Sequence, residues 1–485
     1  MSEVISIAAS QASSHLCTQL YNVQESYIPY SKTASPTHQN DVFLEPSRSN
    51  GRVNYYPRAL SVEFSGGYGY LGKYAFQEPA PDLTAFGDVE IDQRPRIEKN
   101  EYQQHLDAGQ PTDSSMLNVN NTKYWSDYNK LVYKPSSLLT LSEYNHPDGT
   151  HKHFNRLKFD LFNIGTEEYK KYGDEIDESF RKLLESSDNI QGVSVFTGLD
   201  DAWAGFSNEM LIQLRDEYFN NGVSSKYNIW CYGITSGTFT KQRTLTRIKS
   251  LVELSKNSSL FFPLGLDTSS DLLSDDFVAS SEWHRQAAHA YFVNSIWCSN
   301  NQFEKRSTMA EYEANLLRGA DKRNIVNEIA VHEKKSNSAT TIIDDPRMIE
   351  AVMKGEISTS QKPRSLDLSF NPNPLNAKPF FTQYIIPEDQ SLVDELQGRI
   401  SINRDINKIV DSDSFPKIFE SSSLYTQFGQ STGLKDLFKQ YRQIIHHARA
   451  HKDLELIGDK QELIEDISCV VDEYTQGYDS EEESE

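Results

Sequence analysis

Apolar residues recur along the first 310 positions with two alternating spacings, and that alternation predicts the architecture. EVISIAA (3–9) reads as a strand, and Leu16, Leu20, Val23 and Tyr27 then share one face of a helix over 13–27. A polar loop with Pro29 and Pro36 fills 28–52, and PRALSVEF (57–64) is a second strand with Leu60, Val62 and Phe64 alternating. Between Gly66 and Ser115, Gly, Pro and charge replace periodicity, which predicts an extended loop region with short elements. Next comes a helix at 166–187 striped by Tyr169, Tyr172, Ile176, Phe180 and Leu183, then a strand at 190–197 and a helix at 206–219. A strand at 227–234, a helix through Leu245, Ile248 and Val252, a strand at 259–264 and a helix at 282–299 complete the run. Strands alternating with helices of this length make βαβ crossovers, so the fold class is α/β, with a parallel sheet covered by helices on both faces.

Beyond residue 300 the rhythm changes. Helices are predicted at 306–319 and 434–452 and a strand at 379–386, with Pro-, Asn- and Ser-rich connections at 357–378. The expected division is 1–115, 120–310, a C-terminal α+β domain at 311–470 and an acidic tail at 471–485.

Charge narrows the partners. The 48 basic and 70 acidic residues leave a net charge of −22, a poor match to phosphate backbones, so direct nucleic-acid binding is not expected. After Lys460 there is no basic residue, and the tail's serines, Ser480 and Ser484, sit among carboxylates as a solubilising or kinase-accessible segment. Four scattered cysteines form no C-x-x-C pair, which suits a reducing compartment. No apolar run reaches the ~18 residues of a spanning helix. The N-terminus lacks a secretory or Arg-rich presequence, so work at an organelle is expected from its cytosolic side.

Local motifs carry little chemistry. GYGYLGKY (67–74) has phosphate-loop spacing, but Tyr74 replaces the magnesium-binding hydroxyl and Pro79 interrupts the following helix. His447 and His451 are four apart without a metalloprotease glutamate, and His146, His151 and His153 lie in a turn-like stretch, so no metal site is expected.

Three stretches together carry more. MSEVISIAASQASSHLCTQLYN resembles, without a gap, the opening strand, loop and helix of tubulin; PRALSVEF resembles its second strand, with an acidic residue at Glu63. QGVSVFTGLDDAWAGFSNEMLIQLRDEY (191–218) is similar to tubulin's Gln-Gly strand, glycine loop and helix. With YWSDYNKLVYKPSSL (124–138) and a degraded glycine loop, the chain resembles the Misato family of divergent tubulin-like proteins, over about residues 1–310. The resemblance implies a tubulin/FtsZ-like fold in which 282–299 is the central helix. It also implies a role in mitochondrial distribution, morphology, partitioning and mitochondrial DNA inheritance, with links to tubulin biogenesis.

The departures from tubulin bear on chemistry. Tubulin's first loop, Gly-Gln-x-Gly-Asn, here reads Ser10-Gln11-Ala12-Ser13-Ser14. Its phosphate loop, Gly-Gly-Gly-Thr-Gly-Ser-Gly, reads Asp200-Asp201-Ala202-Trp203-Ala204-Gly205. Glycines let backbone N–H groups approach phosphate. A carboxylate ~4 Å from a phosphate oxygen costs about 4 kcal/mol at an effective dielectric of ~20. Gln11, Glu63, Asp200, Asp201 and Gly205 are therefore read as vestigial nucleotide-pocket positions. The chain is expected to be non-enzymatic and to need no cofactor, GTP being the one ligand the resemblance offers. Two alternatives stay open: a polymerising GTPase in which Asp200 and Asp201 hold magnesium, and an assembly factor for tubulin or its chaperonin. Expected partners are proteins, tubulin or chaperonin components and mitochondrial surface proteins among them. The expected location is the cytosolic face of the mitochondrial outer membrane and the cytoplasm.

Overall fold

The structure is a computed structural model that describes residues 2–29, 37–49, 52–73, 97–147, 157–219, 228–237, 240–303, 306–320, 322–333, 364–370, 377–387, 400–405, 407–421 and 423–475. His151, His153, Tyr74, Pro79, Ser480 and Ser484 lie outside the described residues.

Strand β1 (Glu3–Ala9) is buried at every position, because helices cover both faces of the sheet it centres. Helix α1 (Gln11–Ser26) follows, then a separate hairpin of β2 (Leu44–Ser49) and β3 (Arg52–Pro57), then β4 (Ala59–Ser65) and a short helix α2 (Glu101–Asp107). Strand β5 (Leu138–Asn145), α3 (Phe162–Glu185), β6 (Ile190–Gly198), α4 (Ala202–Leu214), β7 (Asn228–Ile234), α5 (Lys241–Asn257), β8 (Leu260–Leu264) and α6 (Glu282–Asn301) complete the alternating run. The six strands form one sheet in the order β5-β4-β1-β6-β7-β8, every pair parallel.

Helix α6 is buried all round, 18 of its 20 residues being inaccessible, because it runs between two sheets. After α7 (Met309–Leu317), the second sheet uses β9 (Glu328–Glu333), β10 (Ser365–Asp367), β11 (Pro379–Pro387), β12 (Ile400–Asp405) and β13 (Leu424–Ser431). Its order is β10-β9-β13-β11-β12, antiparallel except for β11–β12. Phe292 of α6 meets Phe428 of β13 at 5.5 Å and Phe262 of β8 at 6.1 Å, joining the sheets through one core. The chain closes with α8 (Gly433–His447), α9 (His451–Ile457) and α10 (Lys460–Glu473). These helices pack on the opposite face of the parallel sheet, where Leu434, Phe438, Ile445 and Ile467 join the core of α3, α4 and α5.

Several boundaries differ from the sequence reading for local reasons. The helix expected at 434–452 stops at His447, where Lys460 Nζ donates to the carbonyls of His446 (2.8 Å) and Ala448 (3.0 Å). The helix expected at 206–219 starts at Ala202, capped by Asp201, and widens into a π turn over Arg215–Phe219. The loop expected at 28–52 includes most of the β2–β3 hairpin. Cys17, Cys231 and Cys298 are buried and Cys469 is exposed, none of them in a disulfide. Among the described residues, no helix is long and apolar enough to cross a membrane.

Candidate functional site: the switch point of the parallel sheet

Open parallel sheets bind ligands outside the carboxyl ends of their strands, where the winding reverses. That reversal lies between β1 and β6. The helix after β1 packs with α6, whereas the helix after β6 packs with α3 on the other face. Ala9 is level with Val62 and Thr197, so Ser10, Glu63 and Gly198 stand together one residue further along. Gln11, Glu63, Asp200 and Asp201 lie at this rim, and Gly205 follows in the first turn of α4.

Ser10 holds φ 141° and ψ 161°, a conformation essentially reserved for glycine. The loop has kept the backbone of a glycine while losing the glycine. Its hydroxyl accepts from the Ser13 amide (3.1 Å) and bonds the Ser13 hydroxyl (2.7 Å), capping α1. Gln11, half-buried, opens the helix.

Asp200 is fully engaged. Arg247 Nε reaches Oδ1 at 2.6 Å and Nη2 reaches Oδ2 at 2.8 Å, while Ser236 donates its amide (2.7 Å) and hydroxyl (2.8 Å) to Oδ2. Both partners of the ion pair are buried, at 3% and 5% side-chain exposure. The carboxylate that the sequence reading set against a phosphate is thus neutralised by an arginine 47 residues away on α5. Asp201 accepts the Trp203 amide at 3.0 Å as the cap of α4, and burial pushes its pKa up to about 7. Ala202 N donates to Phe159 O and Ala204 N to Asp201 O, each at 3.4 Å, so with Trp203 N on Asp201 the amides of Ala202, Trp203 and Ala204 have acceptors within the chain. The Trp203 ring lies 4.8 Å from Phe64 and 4.9 Å from Phe159.

Gly205 has a packing role. A Cβ there would stand 1.9 Å from the Phe162 carbonyl oxygen, and one on Gly165 would stand 1.7 Å from that of Ala202. The two glycines let α3 and α4 cross backbone against backbone. Gly205 therefore sits in the α3–α4 contact, and Gly165, absent from the sequence reading, is its counterpart.

Glu63 is fully buried, and neither carboxyl oxygen has a hydrogen-bond partner among the described residues. Burial pushes its pKa up to about 8; the nearby Ser14 hydroxyl and Phe64 amide lower it only in part. Gly67 closes over it, since a Cβ there would come within 2.8 Å of Oε2.

Residues 97–134 form a strap over the α1–α6 side of this rim. Asn100 caps α2 and donates to the carbonyls of Asn121 (3.0 Å) and Asp127 (2.8 Å). Gln103 Nε2 donates to those of Ser126 (3.0 Å) and Asn129 (2.8 Å), folding the strap on itself. Tyr128 then enters between the first turns of α1 and α6. Its hydroxyl bonds His15 Nδ1 at 2.8 Å and its ring lies 6.1 Å from that of Trp283. Tyr102, Leu117, Tyr128 and Trp283 make a third buried cluster. The histidines noted in the sequence are engaged separately: His447 Nδ1 bonds Gln443 O, and His451 lies 3.2 Å from Glu455. A cleft of about 510 Å³ opens at the opposite end of the sheet, between α5, α7 and α10, lined in part by Lys256, Glu313, Lys322 and Cys469.

Comparison with known proteins joins these features to a lineage. The chain is 43% identical to Protein DML1 of Debaryomyces hansenii over 496 aligned positions, covering 100% of this chain and 99% of that one. It is 35% identical to Protein DML1 of Candida albicans, with 100% of both chains covered. A Misato Segment II tubulin-like domain model matches residues 2–108, and a tubulin domain model matches 114–301. The chain belongs to the Misato family. Protein DML1 of Scheffersomyces stipitis extends the likeness, at 35% identity over 98% of this chain and 97% of that one. In this Misato chain the two matches meet inside the strap, and together they hold the whole six-stranded sheet and α6. The second sheet and α8–α10 lie beyond both.

Proposed function

We propose that this Misato-family chain is a non-enzymatic tubulin-like scaffold. It acts at the cytosolic face of mitochondria in their partitioning and distribution and in the inheritance of mitochondrial DNA. The supporting observation is the state of the switch point. Asp200 is saturated by Arg247 and Ser236, and the amides of Ala202, Trp203 and Ala204 are spent within the chain. Phosphoryl transfer depends on positioned donors and a metal, and the engagement of Asp200 and of these three amides supports a rim that has given up that work. The residues do not fit GTP with magnesium. The polymerising-GTPase reading needs Asp200 and Asp201 free for a cation; Asp200 is paired and Asp201 caps α4.

Depletion of the chain from its host cells tests the cellular half of the proposal. Mitochondria should clump or fail to partition, and mitochondrial DNA copy number should fall, while microtubules remain intact. Disturbed microtubules with normal mitochondrial distribution would reject it in favour of a tubulin-assembly role.

A further inference from the structure

We infer that residues 97–134 act as a built-in ligand, clamping the α1–α6 cleft and the second-sheet side of the molecule together. The anchor is one carboxylate. Asp413, in the segment before β13, receives the Lys130 ammonium at 2.5 Å, the Tyr102 hydroxyl at 3.2 Å and the Thr112 hydroxyl. These three donors come from the beginning, middle and end of the strap. Asp413 is partly buried, and its pKa is lowered because the ammonium and hydroxyl bonds outweigh the opposing effect of burial.

Next to it, Ser414 gathers the other two sides of the cleft. Its carbonyl accepts from Trp283 Nε1 of α6 at 3.0 Å, and its hydroxyl accepts from Asn22 Nδ2 of α1 at 3.0 Å. Asn22 closes the circuit, donating to Tyr128 O (2.8 Å) and accepting from the Lys130 amide (3.0 Å). Helix α1, helix α6, the strap and residues 413–414 are thus mutually bonded around Tyr128. A bound small molecule at a switch point commonly supplies such contacts between elements; here the chain supplies them itself, with Tyr128 as the inserted group. A clamp of this kind couples its parts: loosening the strap loosens everything it joins.

The clamp goes beyond the scaffold reading and stands on these contacts whether or not the switch point takes a nucleotide. The test is hydrogen exchange by mass spectrometry on the full chain, comparing wild type with Asp413→Asn. Losing one charge-assisted hydrogen bond corresponds to roughly tenfold faster local opening. The expected result is that increase in 98–131 together with 409–418 and the first turn of α6, with β6 and β7 unchanged. Faster exchange in the strap alone would overturn the clamp, and so would a uniform rise across the chain. Should Asp413→Asn fail to fold, Tyr102→Phe removes a single bond and is read by the same pattern. Nucleotide extraction from the same variants is scored separately. Uptake of GTP overturns the scaffold reading and leaves the clamp standing, whereas unlinked exchange overturns the clamp alone.

Discussion

Arg247→Met leaves Asp200 as a buried carboxylate with only Ser236 for company. The pair is bidentate, at 2.6 and 2.8 Å, and both groups are almost wholly inaccessible. Removing one partner of such a pair costs about 3–5 kcal/mol. The two Ser236 bonds persist, so the lower end, about 3 kcal/mol, is expected. Asp200→Asn keeps an acceptor for Ser236 but strands the guanidinium, again at about 3 kcal/mol. The double variant strands nothing and should lose no more than about 2 kcal/mol, leaving a coupling energy near 4 kcal/mol. Urea unfolding of the four proteins at neutral pH, without nucleotide, measures this cycle. If each single change costs under about 1 kcal/mol and the pair is additive, the carboxylate is not held as described. It would then be free to meet a cation.

Substitutions at three further positions test the same rim, and one at a fourth tests α3 beside it. Ser10→Gly relieves a strained backbone at small capping loss and should raise stability by about 1 kcal/mol, whereas Ser10→Ala keeps the strain and should lower it by about 1 kcal/mol; urea midpoints decide. For Glu63, the folded pKa of about 8 lies above the ordinary 4.5, so the native state keeps its proton longer and stability falls as pH rises through that window. Glu63→Gln should therefore gain on wild type between pH 5 and 8, by about 3 kcal/mol at pH 7, and level off above; a pH-independent gap would show that burial is not the cause. Gly205→Ala drives a methyl into the Phe162 carbonyl and should cost at least about 3 kcal/mol. Gly173→Ala in α3 meets only side chains, Gln213 at 3.4 Å and the Tyr169 ring at 3.7 Å, and should gain up to about 1 kcal/mol, as melting temperatures would report.

The elements most legible from sequence were those buried on both sides. Strands β1, β6, β7 and β8 read as near-continuous apolar runs because helices cover both faces, and α3 carried a clean stripe. Strand β5 escaped notice because it is largely open to solvent: within LLTLSEYN only Leu141 and Tyr144 are buried. The hairpin strands LEPSRS and RVNYYP carry charge and proline where alternation would be sought. Strands β9 and β13 were missed in the Pro- and Ser-rich half.

At the rim, the sequence located the residues but not their partners. Asp200 looked like an isolated obstacle because Arg247 and Ser236 reach it only once β7 and α5 are in place. Gly205 looked like the last glycine of a phosphate loop, yet its neighbour is α3, and Gly165 on that helix was the missing signal. The strap has no periodicity to read, since its order comes from side-chain-to-backbone bonds of Asn100, Gln103 and Asn129.

The most direct test of the filled switch point is the guanine nucleotide content of the native chain, extracted after purification in magnesium, paired with its melting temperature in excess GTP. No stoichiometric nucleotide and an unmoved melting temperature are expected. One guanine nucleotide per chain, with a melting temperature that climbs with GTP concentration, would contradict a filled switch point.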